Sequence, residues 1–128
     1  MGEYTNYTGA VYVLVLGEKN QVLLLERKNT SYRDGFKTAP GGRVELGHNF
    51  LATAIKETKE EVGLTIEEED LAWFGSLARH NDWSGSAFTE QIFFCKEWQG
   101  TPIIGEPEKC GGLDWYDLDD LPDKVLPT

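Results

Sequence analysis

The sequence predicts an α+β fold in which one α-helix packs on a mixed β-sheet. Short runs rich in β-branched and aromatic residues outnumber helical segments along the chain. A single strong amphipathic helix is predicted near the middle, over residues 50–62. The length of 128 residues, without repeats or linkers, predicts one domain that spans residues 1–128.

Four strands are predicted in the first third of the chain. The run AVYVLVL is continuously apolar and rich in β-branched residues, which is typical of a buried central strand. The tetrapeptide GEKN after it predicts a hairpin turn into QVLLLE, and the polar segment NTSYRDG predicts a loop. The predicted strands span residues 10–16, 21–26, 36–39 and 43–46.

The central helix has clear end signals and one apolar side. Asn49 is placed to cap its N-terminus, and Gly63 is placed to end it in a left-handed conformation. Its apolar residues recur on one side, which should face the core. They are Leu51, Ala54, Ile55 and Val62.

Glu57, Glu60 and Glu61 lie on another side of this helix, within roughly 100° of arc. Glu57 and Glu61 are like charges one turn apart, and Lys56 can pair with Glu60 only in the weaker order. A hard divalent cation such as Mg²⁺ would offset this crowding, because it takes oxygen ligands and bridges carboxylates to phosphates. A solvated acidic face is the alternative, but the glycine pair before the helix favours a metal site.

The second half of the chain is predicted to be mainly strand and loop. Strands are expected at residues 70–78, 88–98 and 113–116. A loop rich in glycine and proline occupies residues 100–112, and residues 117–121 are predicted to form a short helical turn ended by Pro122.

Composition and charge restrict the classes of partner. The net charge of −10 disfavours binding to nucleic acid or to an anionic membrane. No apolar run approaches the roughly 18 residues of a membrane span, and the N-terminus lacks the pattern of a signal peptide. Cys95 and Cys110 lack metal-ligand spacing, so they are expected to be two reduced thiols of a cytoplasmic protein.

The segment PGGRVELGHNFLATAIKETKEEVGL, from Pro40 to Leu64, resembles the Nudix box. That motif runs Gly, five residues, Glu, seven residues, Arg-Glu, an apolar residue, any residue, Glu-Glu, any residue, Gly and an apolar residue. The positions that match in register are Gly42, Glu57, Glu60, Glu61, Gly63 and Leu64. The positions that depart are His48 for the first Glu, Lys56 for the Arg and Thr58 for the apolar residue. The ion pair between the family's Glu and Arg is therefore not expected here.

The resemblance implies a Nudix-type α/β/α sandwich with a mixed β-sheet, in which the box forms loop, helix and loop. The segments ERKNTSYRDGFKTAPGGRVE and EPEKCGGLDWYDLDDLP resemble a bacterial subgroup that is similar to the MutT-like enzymes. The implied activity is Mg²⁺-dependent hydrolysis of a nucleoside diphosphate linked to a group X, with Mn²⁺ as the other metal. The favoured substrate is a ribo- or deoxyribonucleoside triphosphate, which would yield the monophosphate and pyrophosphate.

The resemblance also implies roles for individual residues. The implied catalytic residues are Glu57, Glu60 and Glu61, and the same three would be metal ligands. The metal shell would be completed by the carbonyl of Gly41 and by Glu106 or Glu108 from the late loop. Substrate contacts would come from Arg27, Tyr32, Arg33, Lys37, Gly42 and Arg43. Tyr32, Trp83 and Phe88 are candidates to stack on a base, and core packing is the alternative for each.

Several alternatives stay open at this point. A nucleotide-sugar or ADP-ribose hydrolase is the second enzymatic hypothesis, and a nucleotide-binding module with weak or no turnover is a hypothesis of another class. His48 is either a tolerated exchange of a supporting residue or a sign of a changed proton relay or metal site. Thr58 is expected to face inward, where it can bond to a backbone carbonyl. The identity of the general base is open, and so is a homodimer.

Overall fold

The structure is a computed structural model that describes residues 3–30, 34–80, 85–123 and 125. In these ranges the chain forms strands and one α-helix. The strands are β1 Thr8–Val15, β2 Gln21–Arg27, β3 Lys37–Thr38, β4 Gly41–Arg43, β5 Leu71–His80, β6 Ala87–Cys95 and β7 Cys110–Asp117. The helix is α1 Phe50–Val62, and a 3₁₀ turn at Glu68–Asp70 precedes β5. No helix among the described residues is long and apolar enough to cross a membrane.

The strands form two sheets. The first has four strands in the order β4-β1-β6-β5, and the second has three strands in the order β3-β2-β7. Strand β1 pairs antiparallel with β4 and parallel with β6, so the first sheet is mixed. The second sheet is antiparallel throughout. The predicted α+β fold with a mixed sheet and one central helix is confirmed.

The main core lies between α1 and one face of β1. Alternate residues of a strand point to opposite faces, so β1 sends Val11, Val13 and Val15 toward the helix. They meet Ala54 and Val62 of α1, and all five are fully buried. Leu51 and Ile55 pack partly buried against the same cluster, which confirms the predicted apolar side of the helix.

The opposite face of β1 carries Ala10, Tyr12 and Leu14. Tyr12 and Leu14 pack against a smaller cluster formed by Val22 and Leu24 of β2. This face of the first sheet lies on the side away from α1, and we call it the Tyr12 face.

The ends of α1 are formed by the predicted residues. The Asn49 side chain accepts a hydrogen bond of 2.8 Å from the Ala52 N–H, and Gly63 follows the helix with a φ of 74°. Glycine adopts this left-handed backbone conformation at little energetic cost. The Gly63 N–H donates a hydrogen bond to the Lys59 carbonyl at 3.0 Å. The helix thus begins and ends where the sequence predicts.

Two local details differ from the predictions, and a third prediction is met only in part by the described residues. The strand expected at residues 43–46 lies earlier, because Gly41 and Gly42 themselves pair with Tyr12 and Val11. Residues 117–121 contain a turn closed by the Asp120 N–H and the Asp117 carbonyl at 3.1 Å, rather than a helix. Of the two helical layers in an α/β/α sandwich, the described ranges supply the one formed by α1.

Both cysteines are free thiols, as predicted, and both are buried. Burial is the main cause that raises the pKa of Cys95 to about 11. The Cys95 thiol is therefore a packing group of the core at neutral pH.

Candidate functional site

The candidate site begins at the glycine turn before the helix, where the chain passes close to two other segments. A Cβ on Gly41 would collide with the carbonyl oxygen of Val11 and would lie 2.8 Å from Tyr12 Cδ1. A Cβ on Gly42 would lie 2.6 Å from the carboxyl carbon of Glu57. Gly41 requires glycine, because the added carbon would meet backbone, whereas at Gly42 the Glu57 side chain would have to move. Gly42 therefore faces α1, and its neighbours Gly41 and Arg43 face the other side of the sheet.

Glu57 and Glu61 form the centre of the site. They lie one helical turn apart on the side of α1 that faces the glycine turn, and the Gly41 N–H donates to Glu61 Oε2 at 3.2 Å. Burial, followed by a hydrogen bond with Glu57 and the negative charge of Glu57, raises the pKa of Glu61 to about 9. The hydrogen bond from Gly41 opposes this rise. Two carboxylates thus share one small, mostly buried space.

This pair suits a divalent cation. Like charges in contact are costly unless a proton or a cation neutralises them, and carboxylate oxygens are the ligands that Mg²⁺ and Mn²⁺ prefer. In the described part of the chain, no group of three or more His, Cys, Asp or Glu side chains is arranged as a complete metal centre. Glu57 and Glu61 are therefore two carboxylates close enough to share one cation.

Glu106 lies near this pair, and Glu108 does not join it. The Gly105 N–H donates to the main-chain carbonyl of Glu61 at 2.9 Å, which holds the late loop against the C-terminal turn of α1. The next residue, Glu106, is close enough for its charge to raise the pKa of Glu61 further. Glu108 is exposed, and its carbonyl accepts a hydrogen bond from Asn29 Nδ2 at 3.1 Å. The geometry favours Glu106 over Glu108 as an additional carboxylate.

Glu60 faces Lys56 instead of the carboxylate pair. The Lys56 ammonium lies 3.4 Å from Glu60 Oε2 and 3.5 Å from Glu57 Oε1. Its shortest contact is with Glu45 Oε1, at 3.0 Å. Glu45 is therefore the ion-pair partner of Lys56. The motif did not predict this pair, because its partner position is occupied by His48 in this chain. His48 itself is exposed, and its N–H donates to the Glu45 carbonyl at 3.0 Å.

Thr58 is inward-facing, as predicted, but it does not bond to a carbonyl. It is fully buried, and its Oγ1 has no hydrogen-bond partner among the described residues. Thr53, five residues earlier in the same helix, shows the predicted behaviour, because its Oγ1 donates to the Asn49 carbonyl at 2.8 Å. The helix thus contains one satisfied and one unsatisfied buried hydroxyl.

The predicted substrate-binding residues are only partly brought together. Lys37 pairs with Glu26 at 3.1 Å, and the Arg43 guanidinium lies 5.3 Å above the centre of the Phe88 ring. Arg27 is half-buried, and its positive charge is felt at Tyr12, where it acts to lower the pKa. The predicted contacts that lie outside the described residues are Tyr32, Arg33 and Trp83.

One polar cluster on the Tyr12 face was not predicted. Glu90, in the middle of β6, is 1% exposed, and its Oε2 accepts a hydrogen bond of 2.9 Å from the Arg79 guanidinium of β5. The other oxygen, Oε1, is buried and has no hydrogen-bond partner in the described ranges. The signal in the sequence is a single acid inside the apolar strand AFTEQIFFC, but its partner depends on strand register.

Comparison with known proteins places these features in context. A family model described as "NUDIX domain" matches residues 6–128. The 8-oxo-dGTP diphosphatase of Escherichia coli (strain K12) is 24% identical over 111 residues, which are 85% of this chain and 83% of that protein. The ADP-ribose pyrophosphatase of Methanocaldococcus jannaschii is 30% identical over 112 residues, which are 84% of this chain and 61% of that protein. The chain spans 61–62% of the length of two of the curated relatives that it matches.

A solved structure shows the same fold. The crystal structure of a MutT NUDIX hydrolase from Burkholderia pseudomallei superposes with a TM-score of 0.86, covering 94% of this chain and 91% of that one. The sequence identity is 21%, so this likeness concerns the fold alone. It confirms the fold type that the glutamate motif and its flanking glycines predict.

Proposed function

The chain belongs to the Nudix family of hydrolases, and from that premise we propose that it is a divalent-cation-dependent nucleoside triphosphate pyrophosphohydrolase. The proposed reaction releases the nucleoside monophosphate and pyrophosphate. The observation that carries the proposal is the Glu57–Glu61 pair beneath the Gly41-Gly42 turn. We further propose that residues 1–128 act in this reaction as a single domain.

The carboxylate pair and its supports have distinct tasks in this proposal. Bound Mg²⁺ or Mn²⁺, held by Glu57 and Glu61 with Glu106 beside them, would neutralise charge on the phosphate oxygens of the substrate. The Gly41 N–H fixes the orientation of Glu61. Lys56 holds Glu57 from the solvent side, and Glu45 in turn holds Lys56. Phosphoryl transfer depends mainly on positioning and electrostatics, so these contacts are the ones that matter for rate.

The choice of substrate rests on the relatives and stays a proposal. A relative named 8-oxo-dGTP diphosphatase supports a nucleoside triphosphate. A relative named ADP-ribose pyrophosphatase supports the second candidate, a hydrolase of ADP-ribose or a nucleotide sugar. Both reactions break a diphosphate linkage and would use the same carboxylate pair.

A product analysis separates these functions. The purified chain is incubated with Mg²⁺ and a panel of nucleoside triphosphates, ADP-ribose and nucleotide sugars, and pyrophosphate, phosphate and monophosphates are measured. Pyrophosphate together with a monophosphate is the expected result. Release of AMP and ribose phosphate from ADP-ribose alone would favour the second candidate. Nucleotide binding without any product would contradict both and leave a binding module.

The site assignment has its own test. Glu61→Gln should lower kcat by at least about 100-fold, because it removes one of the two charges that hold the cation and stabilise the reacting phosphate. Glu69→Gln, at an exposed acid of the 3₁₀ turn, is the matched control. Normal turnover in Glu61→Gln would refute the assignment of the pair as the metal site.

A further inference from the structure

The loop between β6 and β7 docks on the C-terminal end of α1, and we call its residues 99–109 the strap. An α-helix leaves its last carbonyl groups without partners inside the helix. Here the strap supplies two of those partners. The Ile103 N–H donates to the Val62 carbonyl at 2.9 Å. The Gly105 N–H donates to the Glu61 carbonyl, also at 2.9 Å. The helix that carries the carboxylate pair is therefore capped by a segment much later in the chain.

Further backbone contacts hold the strap on both sides of Glu106. Thr65 and Gln99 exchange two hydrogen bonds of 2.9 Å just after the helix. At the other end of the strap, the Lys28 N–H donates to the Lys109 carbonyl at 3.0 Å. The Lys109 N–H in turn donates to the Glu106 carbonyl at 2.9 Å, which closes a turn. These main-chain bonds fix where Glu106 lies relative to α1.

Gly105 is the point where the strap comes closest to the helix. A Cβ at this position would collide with the main-chain carbonyl oxygen of Glu60 and would lie 2.9 Å from its carbonyl carbon. Both atoms belong to the backbone of α1, so they cannot rotate aside as a flexible side chain can. Gly105 does not have a positive φ, so the requirement for glycine comes from this close approach and not from backbone conformation. A side chain at residue 105 would hold the strap away from the helix.

The strap depends on these bonds because it buries little apolar surface. Ile103 is 58% exposed, and Ile104 is 38% exposed. A segment with few buried apolar contacts opens locally at low free-energy cost. The charge of Glu106 is felt at Glu61, so docking brings a third carboxylate toward the carboxylate pair. Like charges oppose this approach, whereas a cation bound among the carboxylates favours it.

We propose that Gly105 is a positioning residue of the metal site: because it has no side chain, the strap docks on α1 and places the Glu106 carboxylate beside the carboxylate pair. The inference rests on the proposed function and adds a form of regulation to its site, because cation binding and strap docking strengthen each other. Such coupling is reciprocal. If docking raises the affinity for the cation, the bound cation favours the docked strap by the same factor.

Mn²⁺ binding tests the role of Gly105 without any turnover. The purified chain is titrated with Mn²⁺, and electron paramagnetic resonance of the free ion gives the dissociation constant. Gly105→Ala should raise this constant by on the order of 10-fold, because loss of a supporting contact beside a metal site weakens binding by about 10- to 100-fold. Glu106→Gln should raise it by a similar factor. Gly112→Ala is the matched control, because its added carbon would meet Glu26 at an ordinary contact distance of 3.7 Å.

The double variant separates positioning from general damage to the helix. If Gly105 acts through Glu106, Gly105→Ala should change the dissociation constant no further once Glu106→Gln is present. An equal loss of Mn²⁺ affinity from Gly105→Ala in both backgrounds would mean that it acts by disturbing α1, and it would overturn the inference. An unchanged dissociation constant in either single variant would also overturn it. In each of these cases the proposed function stands, provided that the wild type binds Mn²⁺.

Amide hydrogen exchange on the wild type gives a second test that needs no variant. With saturating Mg²⁺, the Ile103 and Gly105 amides should exchange about 10-fold more slowly than without it, since the coupling is reciprocal. The Leu118 amide, which donates to the Asn20 carbonyl outside the strap, should not change. Equal exchange of the strap amides in both conditions refutes the coupling. If the wild type binds neither Mg²⁺ nor Mn²⁺, the proposed function is contradicted, and the inference falls with it.

Discussion

The contact between Gly42 and Glu57 gives a direct test of how precisely the carboxylate pair is held. In Gly42→Ala the new methyl carbon would lie 2.6 Å from the carboxyl carbon of Glu57 and 2.8 Å from its Oε1. Non-bonded carbon atoms settle at about 3.5–4.0 Å, so the carboxylate must move by about 1 Å. A misplacement of about 1 Å at a reacting centre costs on the order of 100-fold in rate.

The expected result is therefore a large loss of activity with little loss of stability. A 100-fold fall in kcat/KM corresponds to about 2.7 kcal/mol of lost transition-state stabilisation. The Glu57 side chain is 20% exposed and is free to move toward solvent, so the melting temperature should change little. The assay is pyrophosphate release with saturating Mg²⁺, together with thermal melting of the same samples.

Gly75→Ala is the matched control. It adds the same methyl group to the same sheet, at a position with no atom within 4 Å of the added carbon. Its activity should equal that of the wild type. If Gly42→Ala is as active as Gly75→Ala, the position of Glu57 does not limit the reaction and the reasoning is refuted.

Three further predictions concern the surroundings of the site. Thr58→Val should raise the free energy of unfolding by about 1 kcal/mol, because it removes a buried hydroxyl without a hydrogen-bond partner. Thr53→Val should lower the free energy of unfolding, because it removes a hydroxyl that is hydrogen-bonded. Denaturant titration measures both values, and a destabilised Thr58→Val would contradict the assignment. Cys95, with its pKa raised to about 11, should resist alkylation at pH 8, react faster as the pH approaches 11, and react fully after unfolding; fast labelling of the native chain would show that the thiol is accessible. Lys56→Met should lower the melting temperature at low ionic strength, because it removes the ion pair with Glu45. The difference in melting temperature from the wild type should vanish in about 1 M salt, where charges are screened within about 3 Å. A difference that persists in salt would indicate lost packing instead of lost ion pairs.

The parts of the structure that depend on nearby residues were predictable from the sequence. The helix, its Asn49 cap and its Gly63 end follow from local spacing and backbone preference. The closeness of Glu57 and Glu61 follows from their separation of one helical turn. The shift of the strand to Gly41–Arg43 was not predictable in this way, because glycine has low strand propensity and its pairing with β1 depends on close approach.

The contacts that were missed join residues far apart in the sequence. Lys56 pairs with Glu45, which lies in the loop before α1. Helical periodicity does not predict the path of that loop, so it does not predict this pair. The bond between Arg79 and Glu90 depends on the register of two strands and on a loop between them. The unpaired hydroxyl of Thr58 depends on what packs around it, since Thr53 on the same helix is satisfied. Side-chain partners of this kind need the three-dimensional arrangement of the strands.

The parallel pairing of β1 with β6 has a consequence for the order in which the chain acquires its structure. Thr8 pairs with Phe88, and the ladder continues to Val15 and Cys95. During synthesis, β1, whose residues are mostly apolar, therefore cannot pair with β6 until most of the chain has been made. Closing so long a loop is slow compared with forming α1. Before β6 is made, β1 can already pair with β4 and pack on α1, but its other edge has no partner strand. A chaperone that binds extended segments should therefore recognise that edge of residues 8–15 until β6 has been made.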